Sequence, residues 1–279
     1  MIEKSSPGER KRETPAYKAP GENRASLASP PRPRVFVTGM PKSGTTAIVK
    51  LMGIASGEKT VSDPFHLLDK RGVRFRDALF AGEISVPQLM RQYPSAFQGV
   101  ILKDPNFVFF ADAIAKAYPD AHWVFTVRDP RDNIRSVLNR LGLPGKAHEI
   151  KLESPEIGET WRRVLQGRTP EIRGKDPIHR LALRWVMMAE IALSSGRMTF
   201  SRYEQFNTDK QGSITTLCNA TRLTSAHSIA PFMDTQFQPR GDRNAVWEEF
   251  FGAHELAMIY DTCGPTMERV GYKPGRNAG

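Results

Sequence analysis

The chain has 279 residues, with 40 Lys and Arg against 30 Asp and Glu, a formal net charge of +10. That length holds one large α/β domain, and 25% charged with 39% hydrophobic residues is a globular composition, not a disordered one. Two cysteines, Cys218 and Cys263, cannot build a disulfide framework or a thiolate zinc site, and both stand in apolar contexts typical of buried free thiols. No apolar run approaches the ~20 residues that span a bilayer, and the N-terminus lacks the apolar stretch of a signal peptide or stem anchor. The counts exclude a membrane protein, a secreted mini-protein and a structural zinc protein. They lead us to expect a cytoplasmic protein with an anionic partner.

Residues 1–33 are rich in Pro, Ser, Gly and charge, and their few apolar residues (Ile2, Tyr17, Leu27) follow no period. Such a segment buries too little to offset its ordering entropy. It reads as a disordered basic arm, with residues 34–279 as a single domain. The arm carries seven basic and four acidic side chains, a net +3, so +7 stays with the rest.

From Arg34 short apolar runs alternate with helical stretches. Val35–Thr38 is a buried strand ended by Gly39, and Thr45–Ile54 follows with Ile48, Leu51 and Met52 at helical spacing. Thr60–Ser62 and Val100–Leu102 are short strands, His122–Val127 is the clearest one, and Met198–Ser201 is the fifth. Helical patterns cover Asn106–Tyr118, Arg131–Leu141, Pro177–Ser195, Ser213–Thr221 and His254–Val270, with Trp185 in a core position. Gly142–Gly174 has little periodicity. It reads as an insertion over the C-terminal edge of the sheet, in which Trp161 is a candidate lining of an acceptor pocket. The alternation predicts an α/β three-layer sandwich, a central parallel sheet with helices on both faces.

Gly39-Met40-Pro41-Lys42-Ser43-Gly44-Thr45-Thr46 joins the first strand to the first helix. Its glycines let the backbone turn sharply, and the helix start offers free N–H groups and a positive dipole end to a phosphate. Thr45 and Thr46 add hydroxyls. Gly39 and Gly44 have the spacing of a Walker A loop, but Thr45 stands where that loop has its lysine, and the only loop lysine is Lys42. The clearest strand ends in Arg128, where a magnesium-dependent nucleotidase would want an acid.

Pro41-Lys42-Ser43-Gly44-Thr45-Thr46 after an apolar strand resembles the 5′-phosphosulfate loop of sulfotransferases that use 3′-phosphoadenosine 5′-phosphosulfate (PAPS). Arg128 and Ser136 resemble the family's 3′-phosphate motif, an Arg after a strand with a Ser eight positions on. An Arg and a Ser so placed make a charge-assisted clamp. The neighbouring Arg131, Arg135 and Arg140 read as a solvated basic face. Tyr203, in Ser201-Arg202-Tyr203-Glu204, resembles the Tyr that approaches the adenine, and Arg240 and Arg243 are candidates for a basic loop over the 3′-phosphate. The resemblance covers roughly residues 34–274 and implies a P-loop fold, PAPS as donor, its product 3′-phosphoadenosine 5′-phosphate (PAP), and no metal. The pattern is closer to glycan-type, tyrosyl-protein-type and bacterial members than to cytosolic phenol sulfotransferases.

Sulfuryl transfer needs a base for the acceptor proton, in-line attack, and stabilised charge on the leaving oxygens. By resemblance Lys42 contacts the bridging oxygen, and Lys103, opening Lys103-Asp104-Pro105, is the strand-end lysine near the transferred group. Glycan and tyrosyl-protein members use an acid, usually Glu and often followed by Pro, as base. Asp63-Pro64 fits that place with a side chain one methylene shorter. Cytosolic members use a His two positions after the strand-end lysine, and here that position is Pro105. His66 is the second candidate base, since imidazole titrates near neutrality. Asp104 is the third, unless it caps the helix from Asn106. The expected partner is a small-molecule or glycan acceptor. A P-loop kinase using ATP and Mg²⁺ is the alternative, against which the missing Walker lysine argues. Nucleic-acid binding rests on the charge alone, with no supporting motif. A nucleotide-binding protein without a base is the last reading.

Overall fold

The computed structural model describes residues 32–154, 157–168, 172–237 and 246–273. The expected arm lies outside them except for Arg32 and Pro33, and so do Arg240 and Arg243. Five strands form one parallel sheet: β1 (Val35–Gly39), β2 (Thr60–Ser62), β3 (Ile101–Lys103), β4 (His122–Val127) and β5 (Met198–Arg202). Their order is β2-β3-β1-β4-β5. Val35 is in register with Ile101 on one side and His122 on the other, and Val127 with Arg202. All five lie where the apolar runs predict them, with β3 and β5 each gaining a basic last residue, Lys103 and Arg202.

The pleat sorts the core. Val35, Val37 and Val124 face α1 (Thr45–Ser56) and a later helix, Lys210–Ala220, on one side of the sheet. Phe36, Leu102 and Trp123 face the other side, where Phe36 stacks on Trp123 at 4.9 Å. Farther along that side, Phe125 and Val127 meet the helices Pro130–Arg140, Pro177–Ser195 and Trp247–Arg269. Each such fully buried side chain is worth about 1.5–3 kcal/mol, so this alternation alone fixes which face each strand presents.

Between β2 and β3 the chain forms three short helices that periodicity did not reveal: α2 (Pro64–Lys70), α3 (Arg76–Phe80) and α4 (Val86–Gln92). The last begins in a capping box of Ser85 and Gln88, a readable signal. The helix expected over Asn106–Tyr118 is a tight 3₁₀ turn over Pro105–Phe110 followed by α5 (Ala111–Ala117). Thr38 Oγ1 donates to Pro105 O (3.1 Å) and accepts from Val108 N (3.0 Å), and so occupies groups that an α-helical turn would use. α6 is Pro130–Arg140. The irregular stretch 142–174 contains α7 (Glu159–Leu165), and Trp161 packs against the core there, so nothing marks it as a pocket lining. α8 is Pro177–Ser195, α9 is Tyr203–Thr208 and α10 is Lys210–Ala220. α11, Trp247–Arg269, starts earlier than the expected His254 and breaks its helical course at Gly252. Trp185, Cys218 and Cys263 are buried. No helix among the described residues is long and apolar enough to cross a membrane.

Candidate active site

β1 is flanked by β3 and β4, so the chain reverses its direction of winding at β1. In sheets that reverse in this way, the crevice that receives ligands is expected at the C-terminal ends of these strands. The loop 40–44 lies in that crevice. Gly39 has φ +133°, and a Cβ there would stand 2.2 Å from Thr126 O. Gly44 is the left-handed N-cap of α1 (φ +75°) with no side-chain cap, which leaves the first N–H groups of a twelve-residue helix open to an anion. Asn133 Nδ2 on α6 donates to Pro41 O (2.6 Å) and Ser43 Oγ (3.2 Å), while Arg128 Nη1 donates to Lys42 O (3.1 Å). Lys42 itself is left-handed (φ +67°), a strained backbone for a residue with a Cβ. Burial lowers its ammonium from the usual lysine range, and the charges of Arg140 and Arg128 push the same way.

Across the loop, Lys103 ends β3 with a buried side chain. Its Nζ donates to both Asp63 oxygens (2.9 and 3.0 Å) and to Thr46 Oγ1 (3.1 Å). Asp63 N donates to Lys103 O (2.6 Å), so backbone and side chains join the ends of β2 and β3. Asp63 is the left-handed N-cap of α2 (φ +54°), yet it accepts no capping bond, and its carboxylate stays 38% exposed. That combination turns it toward the crevice rather than into its own helix. Asp104 is buried. It accepts from Asn106 N (2.9 Å), Asn106 Nδ2 (3.0 Å) and Phe65 N (3.4 Å), and it caps the turn as one sequence reading foresaw. Burial and the adjacent Asp63 charge push its carboxyl up to about 6. His66 is exposed on α2 and makes no hydrogen bond among the described residues.

At the other end of the crevice, Arg128 follows β4. Its guanidinium lies over the Tyr203 ring at 4.5 Å, its Nε is buried without a partner, and its nearest acid, Asp132, is 4.0 Å away. Asp132 and Ser136 follow at four-residue steps along α6, so Ser136 shares the Arg128 side of that helix. Tyr203 also packs on the loop, since a Cβ on Gly44 would come within 2.8 Å of its ring. Of the three arginines expected to form a solvated face, only Arg140 is exposed. Arg131 is buried between Asp129, Tyr260 and Trp247, with its guanidinium 3.9 Å from the Trp247 ring, and Arg135 is buried on Asp132. The start of α11 covers this face, which the spacing of α6 alone does not show.

The structure thus brings Pro41 to Thr46, Asp63, Lys103, Arg128 and Tyr203 to one sheet edge, with His66 exposed on α2, the helix that Asp63 begins. Sequence reasoning missed Asn133, which clamps the loop from α6, and Glu204. Glu204 accepts from Asp129 N (3.0 Å) and from Tyr272 Oη (2.6 Å), tying the strand end to the C-terminal segment. Its place beside Tyr203 was the available signal; its partners are remote in sequence.

A family model described as the sulfotransferase family matches residues 58–226. Among solved structures, a sulfotransferase from Alicyclobacillus acidocaldarius superposes with a TM-score of 0.52 at 15% identity, covering 86% of this chain and 94% of that one. The α/β sandwich is therefore shared with a bacterial sulfotransferase. Sulfotransferase STF9 from Mycobacterium avium aligns with a TM-score of 0.48 at 14% identity, covering 89% of this chain and 79% of that one. No curated protein matches by sequence.

Proposed function

The chain belongs to the sulfotransferase family, and from that premise we propose that its donor is PAPS, bound along the crevice from Lys42 to Arg128. It is an enzyme that transfers a sulfuryl group, and the kinase alternative finds no support in the family match. The acceptor in this reading is a small molecule or glycan with a hydroxyl or amino group, a saccharide or a specialised metabolite.

The groups present suit such a donor. The α1 N-terminus has no side-chain cap, Lys42 has no carboxylate partner among the described residues, and Arg128 Nε is buried and unpartnered. When bound, PAPS supplies an activated sulfuryl group on a phosphate leaving group. The N–H groups of the loop, with Ser43, Thr45 and Thr46, hold the 5′-phosphate. Arg128 and Ser136 hold the 3′-phosphate, for which Arg240 and Arg243, outside the described residues, are further candidates, and Tyr203 lies beside the adenine. Lys42 and Lys103 offset negative charge at the bridging oxygen, so the reading needs no metal. Asp63 takes the acceptor proton. It is favoured over His66, which is exposed, and over Asp104, whose oxygens cap the turn at Asn106. The proposal includes residues 34–279 as one sulfotransferase domain. It also includes a cytoplasmic setting, which suits two buried free thiols, and no nucleic-acid partner.

One observation carries the reading: Lys103 Nζ hydrogen-bonds at once to the Asp63 carboxylate and to Thr46 at the head of α1. A cation and an acid are thereby fixed beside the anion loop. The test is release of PAP from PAPS across a panel of hydroxyl and amine acceptors. Acceptor-dependent release by the wild type, abolished in Lys103→Met, supports the reading; release indifferent to Lys103 contradicts it.

A further inference from the structure

One more cation stands near the ends of β3 and β4, and the donor reading leaves it unused. α8 passes the C-terminal end of β4. Trp185 Nε1 donates to Arg128 O at the end of β4 (2.9 Å), and the preceding Arg184 donates from Nη2 to Asn106 Oδ1 (3.1 Å), three residues past Lys103. Asn106 in turn donates to Asp104, and Asp104 accepts from Phe65 N, two residues past Asp63. Arg184 is therefore linked by a chain of hydrogen bonds to the segments that carry Lys103 and Asp63.

Its own donors are not filled. The guanidinium lies against the Phe109 ring at 4.8 Å, Nε is buried without a hydrogen-bond partner, and no carboxylate among the described residues forms an ion pair with it. The charge that it senses is that of Asp104, and burial brings its guanidinium down to about 10. Arg184 is half-buried and has no ion pair among the described residues, and a buried donor such as its Nε without a partner calls for an explanation. A tie between α8 and the turn at Asn106 would need only one hydrogen bond, which an uncharged amide could make. A planar fork with free N–H groups beside an apolar ring is instead suited to receive an oxyanion.

We propose that Arg184 recognises an oxyanion carried by the acceptor (a carboxylate, phosphate or sulfate), so that the enzyme selects acceptors already charged near the group it sulfates. The proposal rests on the sulfotransferase reading for the place of the acceptor. It adds a substrate class to that reading: anionic saccharides or acids rather than neutral alcohols and phenols.

The test uses the full chain saturated with PAP, which fills the loop and the Arg128 end. Inorganic sulfate, benzoate and neutral benzamide are each titrated into that complex. The expected result is saturable binding of sulfate and benzoate, weakened at least tenfold in Arg184→Gln, with benzamide binding far more weakly and PAP affinity within twofold of wild type. Arg184→Lys keeps the charge and loses the fork. It is expected to fall between the two, and it carries the test if the Gln variant does not fold. Anion binding that is absent from the wild type, or that survives in full in these variants, overturns the proposal; a surviving site would be the sulfuryl position at Lys42 and Lys103. A wild type that does not bind PAP overturns the donor reading instead, so the two failures are told apart.

Discussion

The two ends of the crevice differ in how their charges are balanced. At Lys103 the cation is buried and tightly paired, with both Asp63 oxygens at 2.9 and 3.0 Å. At the loop and the end of β4, Lys42 and Arg128 crowd together, and the nearest acid to Arg128 stands 4.0 Å away. Unbalanced cations held by strain and burial are what a site for a multiply charged anion requires before that anion arrives. A balanced acid and ammonium are what proton removal beside a developing charge requires. On the proposal above, the Arg128 end serves donor binding and the Asp63 end proton removal, with Lys42 shared between them, and variants at either end test that division.

The largest effect is expected at the balanced end. Asp63→Asn should lower kcat by about 10²–10⁴-fold, the range of a lost general base, while PAP affinity changes less than twofold. Steady-state kinetics beside PAP titration checks it, and equal losses in both would erase the distinction between the ends. Arg128→Ala should do the reverse. Loss of a charge-assisted contact of about 1.5–3 kcal/mol weakens PAP by about 10–100-fold, with a smaller effect on turnover at saturation.

A pH titration sharpens the contrast. Lys42 is held below the ordinary lysine range of about 10.4, so its positive charge is lost at lower pH than that of a free lysine. PAP affinity should therefore fall on the alkaline side with a midpoint below that value, and Lys42→Met should remove this limb. The smallest effect is structural. Tyr272→Phe deletes the hydroxyl that donates to Glu204 Oε2. It should cost about 1–2 kcal/mol of stability, read as a lower Tm, with the kinetics nearly unchanged.

The donor end was legible because it is written in contiguous residues. Gly39 to Thr46 is one loop, and Arg128 to Ser136 is one strand end with two turns of helix. The phosphate-holding role proposed for them rests largely on backbone N–H groups and a fixed spacing, both of which a linear pattern records. The five strands were legible for the same reason, since each is a short apolar run. The acceptor side was legible only in Asp63 and Lys103. Asn106 and Arg184 meet only in the fold, and the helices between β2 and β3 are too short to show a period. Arg131 and Arg135 do not form the solvated face that the spacing predicts, because α11, more than a hundred residues away, holds Arg131 through Trp247 and Tyr260, while Arg135 pairs with Asp132. Local pattern cannot report a cover that comes from elsewhere in the chain.

The most direct test of the account is calorimetric titration of the full chain with PAP in the absence of metal, beside ATP with Mg²⁺. The account predicts micromolar binding of PAP, weakened at least tenfold in Arg128→Ala, and no comparable binding of ATP with Mg²⁺. Binding of ATP with Mg²⁺ alone would contradict it.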